Sequence, residues 1–277
     1  MKSAHQIAFL NLLFIIINCG WIIILDNSKI FGVTIYDTFS RDWSYLTPHQ
    51  ATFNIWKVIS IVLVITGILY CMVLKRADEK DILLRDKILI SGNTVIINQT
   101  LLGLSMVFKL NGFLFIAYLF SIGTVYTLII LNNQFQLNDY KNPRAIHFFT
   151  RISLGLYTGW MVFLLGFNGL STLAHHCNIH IDNTIYFYVS IIYLIVSFSY
   201  ILYTCLKYLL PSIIVGYLTG ILGAYYYNTQ QYLVTDTYMS NMRYILLTII
   251  VLSIGIIIYL LVRKRKKNSL DTLEVLD

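Results

Sequence analysis

The residues with the chemistry to hold a ligand fall into a few spaced sets. Phe53, Trp56 and Ser60 recur at i, i+3 and i+7, and Tyr157, Trp160, Leu164 and Asn168 at i, i+3, i+7 and i+11. At 100° per residue each set makes one stripe along a helix. Two such stripes facing each other would line a flat aromatic cavity, where ring faces stack a planar molecule and an amide such as Asn168 orients it. The same spacing also serves plain helix packing. Asn98 and Gln99, set among apolar residues, suit hydrogen bonds between helices, worth on average about 0.6 kcal/mol each. Asn98-Gln99-Thr100 spells a glycosylation sequon as well, which burial inside a span would silence. His175, His176, Cys177 and His180 gather nitrogen and sulfur donors, but their spacing matches no zinc pattern, so a solvated loop and no metal site is the expectation. No Walker A, GxSxG, HExxH or glycine-rich dinucleotide signature occurs, and no catalytic role is expected.

The elements that must position these residues follow from composition. Of 277 residues, 57% are hydrophobic and 12% charged, with a mean hydropathy of +0.71. A soluble domain carries about 25% charged residues; half that number cannot solvate a surface, so the solvent here is lipid. Eight apolar runs are long enough for a bilayer, at roughly 7–25, 52–74, 88–108, 112–131, 152–174, 184–205, 209–227 and 244–262. They are too long for strands and lack the alternation of an outer-membrane barrel. The fold class is therefore an all-α membrane protein of about eight transmembrane helices. The first run lacks a small-residue cleavage site and reads as a retained span rather than a signal peptide.

Charge placement gives a topology. With the N-terminus in the cytoplasm, only Lys29, Arg41, Lys109 and Arg243 fall outside; Lys57 lies at the start of the second run, and the rest of the 20 Lys and Arg fall inside. That asymmetry fits the positive-inside rule and places both termini in the cytoplasm. The net charge of +7 thus reports topology and not a nucleic-acid surface. No Asp or Glu lies inside any run, which argues against a proton relay or ion-coupled pump. Lys57 is placed to snorkel to the interface. Lys109 and Asn111 are the only break between the third and fourth runs, predicting a tight hairpin with Lys109 outside. The long external segment 26–51, with Trp43, Tyr45 and Pro48, reads as a loop on the interface or over a cavity. The four cysteines form no CxxC pair and read as free thiols. Gly155/Gly159 and Gly216/Gly220 have the GxxxG spacing of close helix contacts, within the chain or between copies in a homo-oligomer.

The aromatic sets also carry a resemblance. Leu46-Thr47-Pro48 followed by Thr52-Phe53-Asn54-Ile55-Trp56 resembles the loop and second helix of the tryptophan-rich sensory protein/translocator protein (TspO/MBR) family, and Arg151, Tyr157, Trp160 and Asn168 keep the spacing of its fifth helix. The resemblance covers 1–175 as a five-helix membrane domain. Three additional helices occupy 176–262, as in longer bacterial relatives, and a basic then acidic cytoplasmic tail occupies 263–277. It implies a cavity under the external loop, with Phe53, Trp56, Tyr157 and Trp160 as its aromatic wall, Asn168 orienting the ligand and Pro48 shaping the lid. It implies a non-enzymatic binding protein, sensor or transporter in the bacterial cytoplasmic membrane. The ligand would be planar and hydrophobic, a tetrapyrrole such as heme or porphyrin, or a sterol-like molecule. The alternatives are an eight-helix permease or facilitator, and a structural membrane protein with a collapsed pocket. The chain departs from the family pattern in having one loop proline, no loop tryptophan, and Ser60 where a tyrosine is common. Leu164 replaces a small residue facing the cavity, which predicts a narrowed pocket.

Overall fold

A computed structural model describes residues 3–34, 37–38, 43–75, 82–135, 145–179, 183–230 and 237–273. These form eight α-helices: α1 (Ala4–Asn27), α2 (Ile55–Lys75), α3 (Ile82–Leu110), α4 (Leu114–Gln134), α5 (Ala145–His176), α6 (Thr184–Tyr208), α7 (Pro211–Gln230) and α8 (Thr237–Leu273), with a short 3-10 turn at Gln50–Asn54 leading into α2. Each apolar run became a helix. By length and composition seven of the eight can cross a membrane. The exception is α7, whose last turns read Tyr225-Tyr226-Tyr227-Asn228-Thr229-Gln230.

Local signals set the ends. Ser3 and Gln6 form a capping box at the start of α1, each side chain bonding the other's backbone N–H. The hairpin between α3 and α4 closes through Gly112 at φ +80°, with the Phe113 N–H donating to the Phe108 carbonyl. This is the glycine-terminated helix end that only a residue without a Cβ enters cheaply. Pro211 opens α7, where its missing N–H costs nothing.

In lipid, apolar side chains gain nothing by leaving solvent, so close backbone approach has to hold helices together. The glycines supply it. A Cβ at Gly159 would collide with the Ile213 carbonyl, one at Gly216 with the Leu156 carbonyl, and one at Gly220 with the Phe163 ring. Both GxxxG faces therefore meet each other, α5 against α7, within one chain. The result is a central helix: 78% of the spanning window of α5 is buried, against at most 44% for any other candidate span. At one end Arg151 fixes the turn between α6 and α7, donating to the Tyr208 and Leu209 carbonyls while Leu209 takes a left-handed conformation at φ 48°.

At the other end, segment 43–49 packs into the helix bundle. Ser44, Tyr45, Leu46, Thr47 and Pro48 are all buried. Its turn is closed internally, Ser44 N–H to Thr47 Oγ1 at 2.8 Å and Thr47 N–H to the Ser44 carbonyl at 3.0 Å. The Tyr45 ring stacks on Tyr186 of α6 at 5.5 Å. Asn228 of α7 donates to the Tyr45 carbonyl at 2.8 Å, and His49 N–H donates to the Gly223 carbonyl at 3.0 Å. The loop that enters α2 is thus clasped by α6 and α7. Farther along the same connection, the Thr34 backbone N–H and hydroxyl hold the Asp37 carboxyl below the usual carboxylate range.

Candidate ligand-binding site

The aromatic rings on α2 and α5 turn toward each other, not toward acyl chains. Trp160 and Tyr157 are at most 1% exposed and Trp56 is 7% exposed. They meet edge to face: Trp56 to Tyr157 at 6.0 Å and 62°, Trp56 to Trp160 at 6.3 Å and 89°, Phe53 to Trp160 at 5.8 Å and 86°. Trp160 in turn stacks on Phe163 at 5.7 Å. Each such pair contributes about 0.5–1.5 kcal/mol beyond area burial. The rings therefore fill the space between the helices, and no flat slot stands open among them. Phe53 is set by the 3-10 turn and not by the α2 stripe that its spacing suggests. Pro48 sits in the clasped loop. The Trp160 indole N–H is buried with no hydrogen-bond partner among the described residues.

Beside this cluster, under the loop, is a cavity with about 480 Å³ of non-atom space. Trp56, Leu102, Met106, Met161 and Leu164 give it apolar walls; Thr38, Ser105, Lys109, Ser121 and Asn168 give it polar groups. The gap is thin, with room for a few waters and not for a macrocycle. Leu164, 4% exposed, is part of its apolar wall.

Lys109 corrects the sequence reading. Expected outside, it is 7% exposed and still within the last turn of α3, because the chain turns away only at Gly112. Its ammonium donates to Asn168 Oδ1 at 2.6 Å and sits 4.3 Å from the Phe167 ring centroid. Asn168 Nδ2 donates to Ser121 Oγ at 3.2 Å. The signal for Lys109 was present: Asn98, Leu102, Ser105 and Lys109 repeat at i, i+4, i+7 and i+11, one face of α3. Lys57, by contrast, is exposed and donates to Asn54 Oδ1 at 2.8 Å.

Farther from the loop a network of neutral polar groups joins the helices. Asn98, 1% exposed, donates to the Thr124 carbonyl at 3.0 Å and to Thr127 Oγ1 at 2.8 Å, and accepts from Tyr157 Oη at 3.0 Å and from Gln99 at 3.2 Å. Asn18 donates to Gln99 Oε1 at 2.9 Å, bringing α1 into the same network. This is helix-joining work, and it hides the sequon. Below the network is a second cavity, with about 500 Å³ of non-atom space. Asn11, Thr66, Tyr70, Asn98, Gln99, Thr150, Ser153 and Tyr157 line it together with Ile15, Leu63, Val95, Leu131, Phe135 and Leu154. Tyr157 belongs to this second cavity and Trp56 to the first, so their contact is the partition between them.

The His175 and His176 rings lie 5.5 Å apart, and His176 Nδ1 is 3.0 Å from the Thr172 carbonyl. Among the described residues no cluster of His, Cys, Asp or Glu could hold a metal; His180 lies outside them.

A family model described as TSPO-like protein matches residues 6–256. The chain belongs to the TSPO-like protein family. No match was found among curated proteins or among solved structures. The TSPO-like pattern runs past residue 175 through α6 and α7 into α8, so it takes in the helices that clasp the loop and flank α5. Eight helices, apolar enough in seven cases to cross a bilayer, make this TSPO-like chain a multi-pass membrane protein in contact with lipid.

Proposed function

We propose that the protein is a membrane-embedded binding protein or sensor for a planar hydrophobic ligand that carries a carboxylate, a tetrapyrrole rather than a sterol-like molecule. The observation that supports this is the Lys109 ammonium held by Asn168 in the wall of the loop-side cavity, beside Trp56 and the Met106 and Met161 thioethers. Apolar walls alone would not select a ligand from lipid, which already shields it from water. A charge-assisted hydrogen bond in a low-dielectric site does select, and it favours an acid side chain of a macrocycle over a neutral alcohol. Phe53, Trp56, Tyr157 and Trp160 would supply ring faces once parted, and the unused Trp160 N–H a further donor. In the closed form described above the residues do not fit a macrocycle; Leu164 and Trp56 must move to admit one.

The test is titration of protoporphyrin and its dimethyl ester into the purified protein in nanodiscs. Wild type should prefer the diacid, and Lys109→Leu should lose that preference, about tenfold or more in affinity. Trp56→Ala/Trp160→Ala should weaken both ligands. Binding that is unchanged in both variants would reject the site.

A second reading, a facilitator, draws on the two cavities stacked on either side of the Trp56–Tyr157 contact. It requires ligand flux across proteoliposomes and not occupancy alone.

A further inference from the structure

The far-side cavity has no part in that proposal, and its chemistry differs. Among the described residues its lining contains no Lys, Arg, His, Asp or Glu. An ion placed among neutral dipoles in a membrane interior is heavily disfavoured, so the occupant is uncharged. Asn11, 5% exposed, lines the cavity, and its side-chain carbonyl has no hydrogen-bond partner among the described residues. A buried acceptor left unpaired in hydrocarbon carries a penalty that a donor on a ligand removes. The occupant therefore carries an O–H or N–H. Its remaining surface meets Leu63 and the other aliphatic side chains of the wall. The cavity runs along α5 from Thr150 to Tyr157, roughly 10 Å at 1.5 Å per residue. That is longer than a water.

We propose that this cavity is a second binding site, for a small uncharged alcohol: one hydroxyl donated to Asn11 and an elongated apolar body lying along α5. In the closed form it is separated from the loop-side cavity by the Trp56–Tyr157 contact, and its pairing with Asn11 does not require a tetrapyrrole above.

The test is photolabelling of the full chain in nanodiscs with a diazirine-bearing octanol, with the diazirine octane lacking the hydroxyl as control, and adducts mapped by mass spectrometry. The alcohol should mark far-side residues such as Leu63, Thr66 and Leu154, in competition with unlabelled octanol. Asn11→Leu, close in volume, should cut alcohol adducts there about tenfold and leave the alkane's unchanged. Leu63→Phe, which fills the space, should remove both labels while porphyrin binding at the loop-side cavity persists. Equal alcohol labelling of wild type and Asn11→Leu overturns the proposal. So does the absence of far-side adducts in wild type, the result expected if water alone fills the cavity.

Discussion

Along α5, Met161, Leu164 and Asn168 face a cavity that ends on the Lys109 ammonium, whereas Thr150, Ser153 and Tyr157 face one lined by amides and hydroxyls. One helix is thus the shared wall of a charged compartment and a neutral one. The polarity of each is set by the helix across from it. The α3 face that carries Asn98 carries Lys109 three turns later, and the change from amide to ammonium along that face is the change from one compartment to the other. Trp56 and Tyr157, 6.0 Å apart, keep the two from merging. The difference teaches that, if the first cavity takes an acid and the second a neutral donor as proposed, the two affinities can be altered separately while α5 stays seated.

The largest expected effect comes from unseating it. A side chain at Gly159 would run into the Ile213 carbonyl and the Tyr217 backbone nitrogen. Gly159→Leu should destabilise the protein by about 3 kcal/mol or more, seen as a lower thermal unfolding midpoint in nanodiscs, with both cavities losing their ligands together. Loss at one cavity alone would show that α5 is not their common wall. Leu164→Ala acts on one side only. It should cost about 2 kcal/mol of stability yet tighten porphyrin binding, because the residue that narrows the loop-side cavity is gone; weaker binding would mean that Leu164 is a contact and not an obstacle. The smallest change sharpens the other side. Tyr157→Phe removes the hydrogen bond to Asn98 and should cost about 0.6 kcal/mol, a shift in unfolding midpoint of about 2 °C, with porphyrin affinity unmoved.

Much of this was legible in the sequence and some of it was not, for identifiable reasons. Helix number and order followed from apolar run length, since a bilayer leaves few other solutions. That Trp56, Tyr157 and Trp160 share a core followed from spacing. That they meet edge to face did not, because periodicity fixes the direction of a side chain and not its tilt. Lys109 was misplaced because it was read as the break between two apolar runs, although its own periodicity assigned it to the α3 face. The GxxxG pairs named a face without naming its partner. Nothing local in Trp43 to His49 announces Tyr186, Gly223 or Asn228, since contacts that distant in sequence leave no spacing to count.

That clasp has a consequence for how the molecule is made. Segment 43–49 emerges early in synthesis, but the carbonyl of Gly223 and the amide of Asn228 that receive it exist only after α7 is complete. The backbone of the early segment must wait while some 180 further residues are added. Segment 43–49 is therefore the last part of the chain up to α5 to pack, and a chain stopped after α5 would leave it without a seat.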